Sequence, residues 1–431
     1  MLQIKKTVTN FEKEPLRHPF GFKGGAIREI WQTAAVLEDA DGTQACGMGC
    51  QGVLWSDAAV FAAQSPAAGS SMMYLISDFA ARQLEGKAFA DPFAAMDAIL
   101  PAVREYGRMI TGRPDLRETF LLNALVPVDL ALWKLYAKKS GIRSFDGLIP
   151  PALKQTMGHR YDRIQTIPLV SYGVTLDEVR SLIEEGFFFL KIKIGSDPMG
   201  DGDPDKMLAW DKERLTQIHR LAKDVATPYT DSGHIAYYLD ANGRYDSKER
   251  LSELLRHAEE IGMLERTIIL EEPFPEEYLC SVADLPVRVA ADESAHSAAD
   301  VAKRIRLGYG AIALKPIAKS LTTTFRMIEE ASRCGVPCFC ADLTVGPLQV
   351  EVNKTVAARL ACLPGLKLPV VESNGWQNYL NWDAMCEYSP SYQKSWTNRV
   401  NGGYELSPEF YEQSAGILED YPHYSQMAVK G

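Results

Sequence analysis

From about residue 163 the chain repeats one alternation eight times, a short apolar run followed by an amphipathic stretch. The runs are residues 166–172, 189–194, 236–240, 267–271, 287–292, 311–315, 336–342 and 368–372. Between them lie segments such as 176–185, 206–224, 248–261 and 321–334, with apolar residues at helical spacing. Eight strands alternating with helices is the α/β pattern of a parallel barrel. The first 140 residues read differently. Residues 27–39 alternate, Asp41-Gly42 turns the chain, and residues 44–52 complete a predicted hairpin. Asp91-Pro92 opens a helix with a capping Asp ahead of Pro. Residues 120–139 form another helix, stopped by Gly141, in which Pro127 predicts a kink or a restart. The aromatic, turn-rich residues after about 380 are expected to return and pack on the N-terminal part.

Nearly every apolar run ends in charge. Lys191 and Lys193 lie two apart in one strand and share a face, which in a barrel is the interior. Asp240, Glu271-Glu272, Asp292-Glu293 and Lys315 close the next four runs. Positions 240, 271, 292 and 315 are each about one strand–helix unit apart, so the fold brings them round one mouth. A single charge at a strand end is commonly just the cap of the next helix. Clustered carboxylates repel one another unless a cation neutralises them, and with no His or Cys among them the oxygens suit Mg²⁺ or Mn²⁺. Burial, a neighbouring ammonium and a metal are each expected to lower a lysine toward basicity at neutral pH. Lys315, four strands round from Lys193, reaches a substrate from the other side. Such a pair suits removal of a proton α to a carboxylate, the metal stabilising the enediolate.

The set Lys191-Ile-Lys193, Asp240-Ala-Asn242, Glu271-Glu272-Pro273, Asp292-Glu293-Ser294 and Lys315 resembles the enolase superfamily, in its muconate lactonizing enzyme branch. The segment 128–133 with Gly141 resembles the joint between that family's two domains. The resemblance implies a modified TIM barrel, (β/α)₇β, over residues 160–380, and an α+β capping domain over residues 1–140 on which the tail from about 380 to 431 packs. It implies Asp240, Glu271 and Asp292 as Mg²⁺ ligands, Lys193 and Lys315 as the acid/base pair, and Lys191 with Asn242 as substrate contacts. Three features depart from the branch. Glu272 stands where Gln is commoner, Val371-Glu372-Ser373-Asn374 replaces the Asp-x-Asp pair of dipeptide epimerases, and residues 195–235 are long enough for a lid, an oligomer contact or a surface insertion. In that family the loops of the cap choose the substrate, here residues 15–28 and 47–61. Arg17, Lys23, Arg28 and His18 in the first suit an anionic acid, and Gly24-Gly25 a hinge.

The expected activity is therefore racemisation or epimerisation of a small carboxylic acid. Dehydration or cycloisomerisation on the same site is the alternative, and a non-catalytic ligand-binding protein on the same scaffold is the reading from another class. Composition narrows the partners. With 46 Lys and Arg against 56 Asp and Glu the net charge is −10, and no basic block is present, so nucleic acid and anionic membranes are not expected partners. The N-terminus lacks a signal-peptide core, no apolar run is read as spanning a bilayer, and eight cysteines without a zinc spacing are expected as buried thiols. A cytoplasmic homo-oligomer is the corresponding expectation.

Overall fold

The computed structural model describes residues 1–22, 25–63 and 65–430. Its larger sheet realises the eight apolar runs as parallel strands that curl into a cylinder, in the order they occur in the chain. Closure depends on Pro168. It splits the first barrel strand into Arg163–Ile167, which pairs with the eighth strand Val370–Glu372, and Leu169–Val170, which pairs with the second strand Phe189–Lys193. Each half thus pairs with a different neighbour, and the prolyl nitrogen, which has no proton to donate, sits at the break. The register then levels the strand ends: Lys193 lies opposite Asp240, and Asp240 opposite Glu271.

The N-terminal part is a four-stranded antiparallel sheet backed by three long helices. The predicted hairpin is present as Gly25–Asp39 paired with Gln44–Cys50. Its partner on the other side is Leu2–Phe22, so residues 15–28 are largely the far end of a long hairpin and not a loose loop. Lys23 and Gly24, part of the expected hinge, lie outside the described residues. Asp91 caps the helix Pro92–Thr111 through the Ala94 amide, as its sequence predicts. The helix Glu118–Ser140 runs through Pro127 as one helix, so no restart occurs there. Gly47 packs so closely on it that a Cβ would lie 2.1 Å from the Pro127 carbonyl oxygen. That helix is also long and apolar enough to cross a membrane, which the sequence reading had not credited, but 89% of its apolar window is buried in the protein.

Residues 223–235 pair with residues 363–367, through Thr230 with Leu366 and Asp231 with Gly365. That contact is made ahead of the third and eighth strands, at the end of the barrel away from the charged strand ends. The tail adds a strand, Gly403–Glu405, antiparallel to the first barrel strand, and lays the helix Pro422–Val429 on the N-terminal sheet. Four of the eight thiols, Cys46, Cys50, Cys338 and Cys340, are buried; Cys334 is exposed, against expectation.

Candidate functional site

The carboxyl ends of the barrel strands and the N-terminal part together line one cavity. Its floor holds Lys191, Lys193, Asp240, Asn242, Glu271, Asp292 and Lys315, so all seven residues picked from the sequence come together. Lys191, Lys193, Asp240 and Glu271 lie on short buried strands whose alternation sets them on one face, and Asp292 and Lys315 directly follow the strands Val289–Ala291 and Ala311–Leu314.

The lysines do not lie against each other as bare like charges. Asp240 stands between them, with its Oδ2 2.6 Å from Lys193 Nζ and 2.9 Å from Lys191 Nζ. Lys191 Nζ also reaches Glu271 at 3.1 Å and Glu372 at 3.0 Å, and sits 4.6 Å from the centre of the Tyr238 ring. Lys193 Nζ donates in addition to Asn242 Oδ1, and Asn242 Nδ2 donates to Glu293 at 2.9 Å. Across the barrel, Lys315 Nζ lies 2.6 Å from Asp292 Oδ2 and 4.3 Å from the centre of the Trp55 ring. This corrects the expectation that lysines here are simply pushed down. Burial does lower Lys191, but Asp240, Glu271 and Glu372 outweigh it and hold the ammonium well above its usual range. Lys315 is raised in the same way, burial being overcome chiefly by Asp292.

The carboxylates report a shortage of positive charge. Asp240, Glu271, Asp292, Glu293, Asp342 and Glu372 are buried around four buried lysines, Lys191, Lys193, Lys315 and Lys319. Burial accordingly pushes Glu271 up to about 8 and Asp342 up to about 7, the second aided by Glu372. Asp240 goes the other way: burial raises it, but Lys191 and Lys193 bring it down to about 2. With Glu272, buried beside them, the carboxylates outnumber the lysines further, and a divalent cation would offset part of that excess. Glu271 Oε1, buried and without a hydrogen-bond partner among the described residues, supplies a ready oxygen. Glu271, Asp292 and Glu293 each offer an oxygen within 4.8 Å of the others, an all-carboxylate set of the kind Mg²⁺ takes. Asp240 is not in that trio, its carboxylate being turned onto the two lysines.

Glu272 has a different task from Glu271. At φ 41° its backbone turns the side chain away, and its Oε2 accepts from the amides of Asp292 (2.7 Å) and Ser294 (3.1 Å) and from the Ser294 hydroxyl (3.0 Å). It braces the loop that carries Asp292. Lys319, which the sequence reading did not single out, is fully buried and donates to Asp292 through Oδ1 at 3.0 Å and the carbonyl oxygen at 2.6 Å. Its signal was a charged residue in the apolar segment just after Lys315. Glu372 bridges Lys191 and the Asp342 amide.

The cavity's outer wall overturns the expectation for residues 15–28. Arg17, His18 and Arg28 do not line it; Arg17 donates to the Tyr379 carbonyl outside the cavity. Ile27, Glu29 and Trp31 face the cavity from that hairpin, and residues 51–55 with Phe61 complete this side.

Comparison with known proteins accords with this geometry. Residues 175–393 match the family described as enolase C-terminal domain-like. No curated protein matches. Among solved structures, a member of the enolase superfamily from Listeria innocua superposes with a TM-score of 0.67 at 15% identity, covering 99% of this chain and 97% of that one. A 2-chloromuconate cycloisomerase from Rhodococcus opacus gives 0.63 at 17% identity, covering 94% of each chain. A dipeptide epimerase from Cytophaga hutchinsonii, complexed with Mg and D-Ala-L-Val, gives 0.61 at 18% identity, covering 88% of this chain and 89% of that one. At such identities these likenesses speak for the fold.

Proposed function

The chain belongs to the enolase superfamily, as an isomerase or lyase of its mandelate racemase and muconate lactonizing enzyme group, and from that premise we propose that it racemises or epimerises a small carboxylic acid. Lys193 and Lys315 are the acid/base pair in this reading, Lys191 and Asn242 contact the substrate, and Glu271 and Asp292 would hold Mg²⁺ together with Asp240, which would have to turn from the two lysines, or with Glu293, which already stands beside them. The observation that carries it is the placement of Lys193 and Lys315 on the second and sixth barrel strands, at opposite sides of a floor crowded with buried carboxylates. A bound Mg²⁺ supplies positive charge to the substrate carboxylate and so acidifies the neighbouring C–H.

The lysines do the proton work. At Lys315 burial favours the neutral amine and Asp292 favours the ammonium, so its basicity depends on how much carboxylate charge it keeps. One amine takes the α-proton on its own face. The ammonium on the other face returns a proton there, which inverts the centre, and the pair ends with its protonation exchanged. Lys191, embraced by Asp240, Glu271 and Glu372, stays cationic and offers its charge to the carboxylate of the acid. The cap above excludes water, which strengthens each of these interactions.

Incubating the Mg²⁺-loaded protein in D₂O with a panel of α-substituted acids, N-acyl amino acids included, tests this. Deuterium entering the α-carbon with inversion supports the proposal. Net loss of water or ring closure transfers the same site to the dehydratase or cycloisomerase reading. The absence of exchange across acids that demonstrably bind rejects both.

A further inference from the structure

The floor of the cavity reads a carboxylate, and its outer wall reads whatever else the acid carries. The wall is formed by Ile27, Trp31, Leu54, Trp55 and Phe61 of the N-terminal part and by Leu343 from the loop after the seventh barrel strand. Two of these are fixed in advance. Trp31 is stacked on Phe11 with ring centres 4.0 Å apart, and Trp55 lies under the Lys315 ammonium. Among the described residues the one charge that this N-terminal wall turns to the cavity is Glu29, whose carboxylate also accepts from Trp31 Nε1 at 3.1 Å.

We infer that the acid bound here carries an apolar side chain, aryl or branched alkyl, and no second carboxylate. This rests on the carboxylate-binding reading of the floor given above. A distal carboxylate entering the wall loses water without gaining a cation from the described lining residues, and it meets Glu29, a like charge that Lys13, 3.5 Å away and exposed, offsets only in part. An apolar group entering the same space is removed from water against rings already held in place, worth roughly ten- to a hundredfold in affinity. Among the described residues, the cationic side chains lining the cavity are all on the floor, Lys191, Lys193 and Lys315, where they are engaged by carboxylates or by the reacting end of the acid.

Calorimetric binding to the full chain in the presence of Mg²⁺ tests the inference with four acids that differ in side chain alone: N-acetyl-phenylalanine, N-acetyl-leucine, N-acetyl-alanine and N-acetyl-glutamate. The phenylalanine and leucine derivatives are expected to bind at least tenfold tighter than the alanine one, and the glutamate derivative weakest of all. Glu29→Lys, at an exposed position, should improve N-acetyl-glutamate about tenfold relative to N-acetyl-leucine. N-acetyl-glutamate binding as tightly as the apolar pair, an order unmoved by Glu29→Lys, or no binding by any of the four overturns the inference. Deuterium exchange on the same acids separates the two ideas. Binding in the expected order without exchange overturns the proton-transfer reading and leaves the wall's selectivity standing, whereas exchange with the glutamate derivative preferred does the reverse.

Discussion

The floor and the wall of one cavity follow opposite rules. On the floor, charge answers charge across strand registers: Lys193 to Asp240, Lys191 to Glu271 and Glu372, Lys315 to Asp292. On the wall, Trp31 and Trp55 present rings, and among the described residues Glu29 is the charge that the hairpin contributes. A barrel fixes the positions of its strand ends within narrow limits, so chemistry that needs several charged groups in register belongs there. A hairpin laid over the mouth can change its side chains without disturbing that register, so recognition belongs there.

Four measurements would break or sharpen this contrast. The largest effect is expected on the floor, where Lys193→Ala and Lys315→Ala should each lower racemisation roughly 10²- to 10⁴-fold. If each lysine serves one face, each variant keeps α-deuterium exchange with one enantiomer, and loss of exchange with both from either variant removes the two-base assignment. Second, removing the metal with a chelator should lower the unfolding temperature, and Mg²⁺ at a hundred times its Kd should return about 2.7 kcal/mol of stability. Glu271→Gln should abolish that return, and an undiminished return would take Glu271 out of the ligand set. Third, on the wall, Trp31→Ala should raise KM for apolar acids about tenfold and change kcat little, because it removes contact made equally in ground and transition states.

The fourth measurement lies where the two regions meet. Asp129, on the helix Glu118–Ser140, accepts from the amides of Leu321 (2.7 Å) and Thr322 (3.2 Å) at the start of the helix Leu321–Arg333. Burial, only partly offset by those hydrogen bonds, pushes its carboxyl up to about 6. A carboxyl raised on folding contributes stability that is present below about pH 4 and lost as pH rises through 6. Asp129→Asn removes that slope, so relative to the wild type its stability should gain up to about 3 kcal/mol between pH 4 and pH 7 in urea unfolding. A constant difference across that range would show that Asp129 does not titrate between these values.

The same contrast explains what could be read in advance. The strand ends were legible because a period of two within a strand, and about twenty to thirty residues between strands, leaves little choice of where Lys193, Asp240, Glu271, Asp292 and Lys315 point. The choice of Glu271 over Glu272 for the cavity was legible from motif register alone, and the positive φ at Glu272 is the physical reason the second carboxylate turns away. The lysines' protonation was not legible, because it depends on Asp240 lying between Lys191 and Lys193, a matter of ångströms. Nor was the wall. Residues 15–28 read as a basic loop because the long first strand, Leu2–Phe22, does not alternate cleanly, and only its pairing shows that Ile27, Glu29 and Trp31 take the inward face. The length of residues 195–235 is absorbed by the helix Pro204–Ala222 and by a connection at the far end of the barrel, a placement that no local pattern announces.

The tail helix sets an order of events during synthesis. Ala34, Val36, Cys46 and Met48 of the N-terminal sheet are buried together with Tyr421, Tyr424 and Ala428, and Asn10 donates to the Met427 carbonyl at 3.0 Å. The part of the chain that leaves the ribosome first therefore keeps an apolar face open to water, and to chaperones, until residue 428 has been made. The N-terminal sheet is begun before the barrel and finished after it, so the nascent barrel can close before the wall over its mouth is complete.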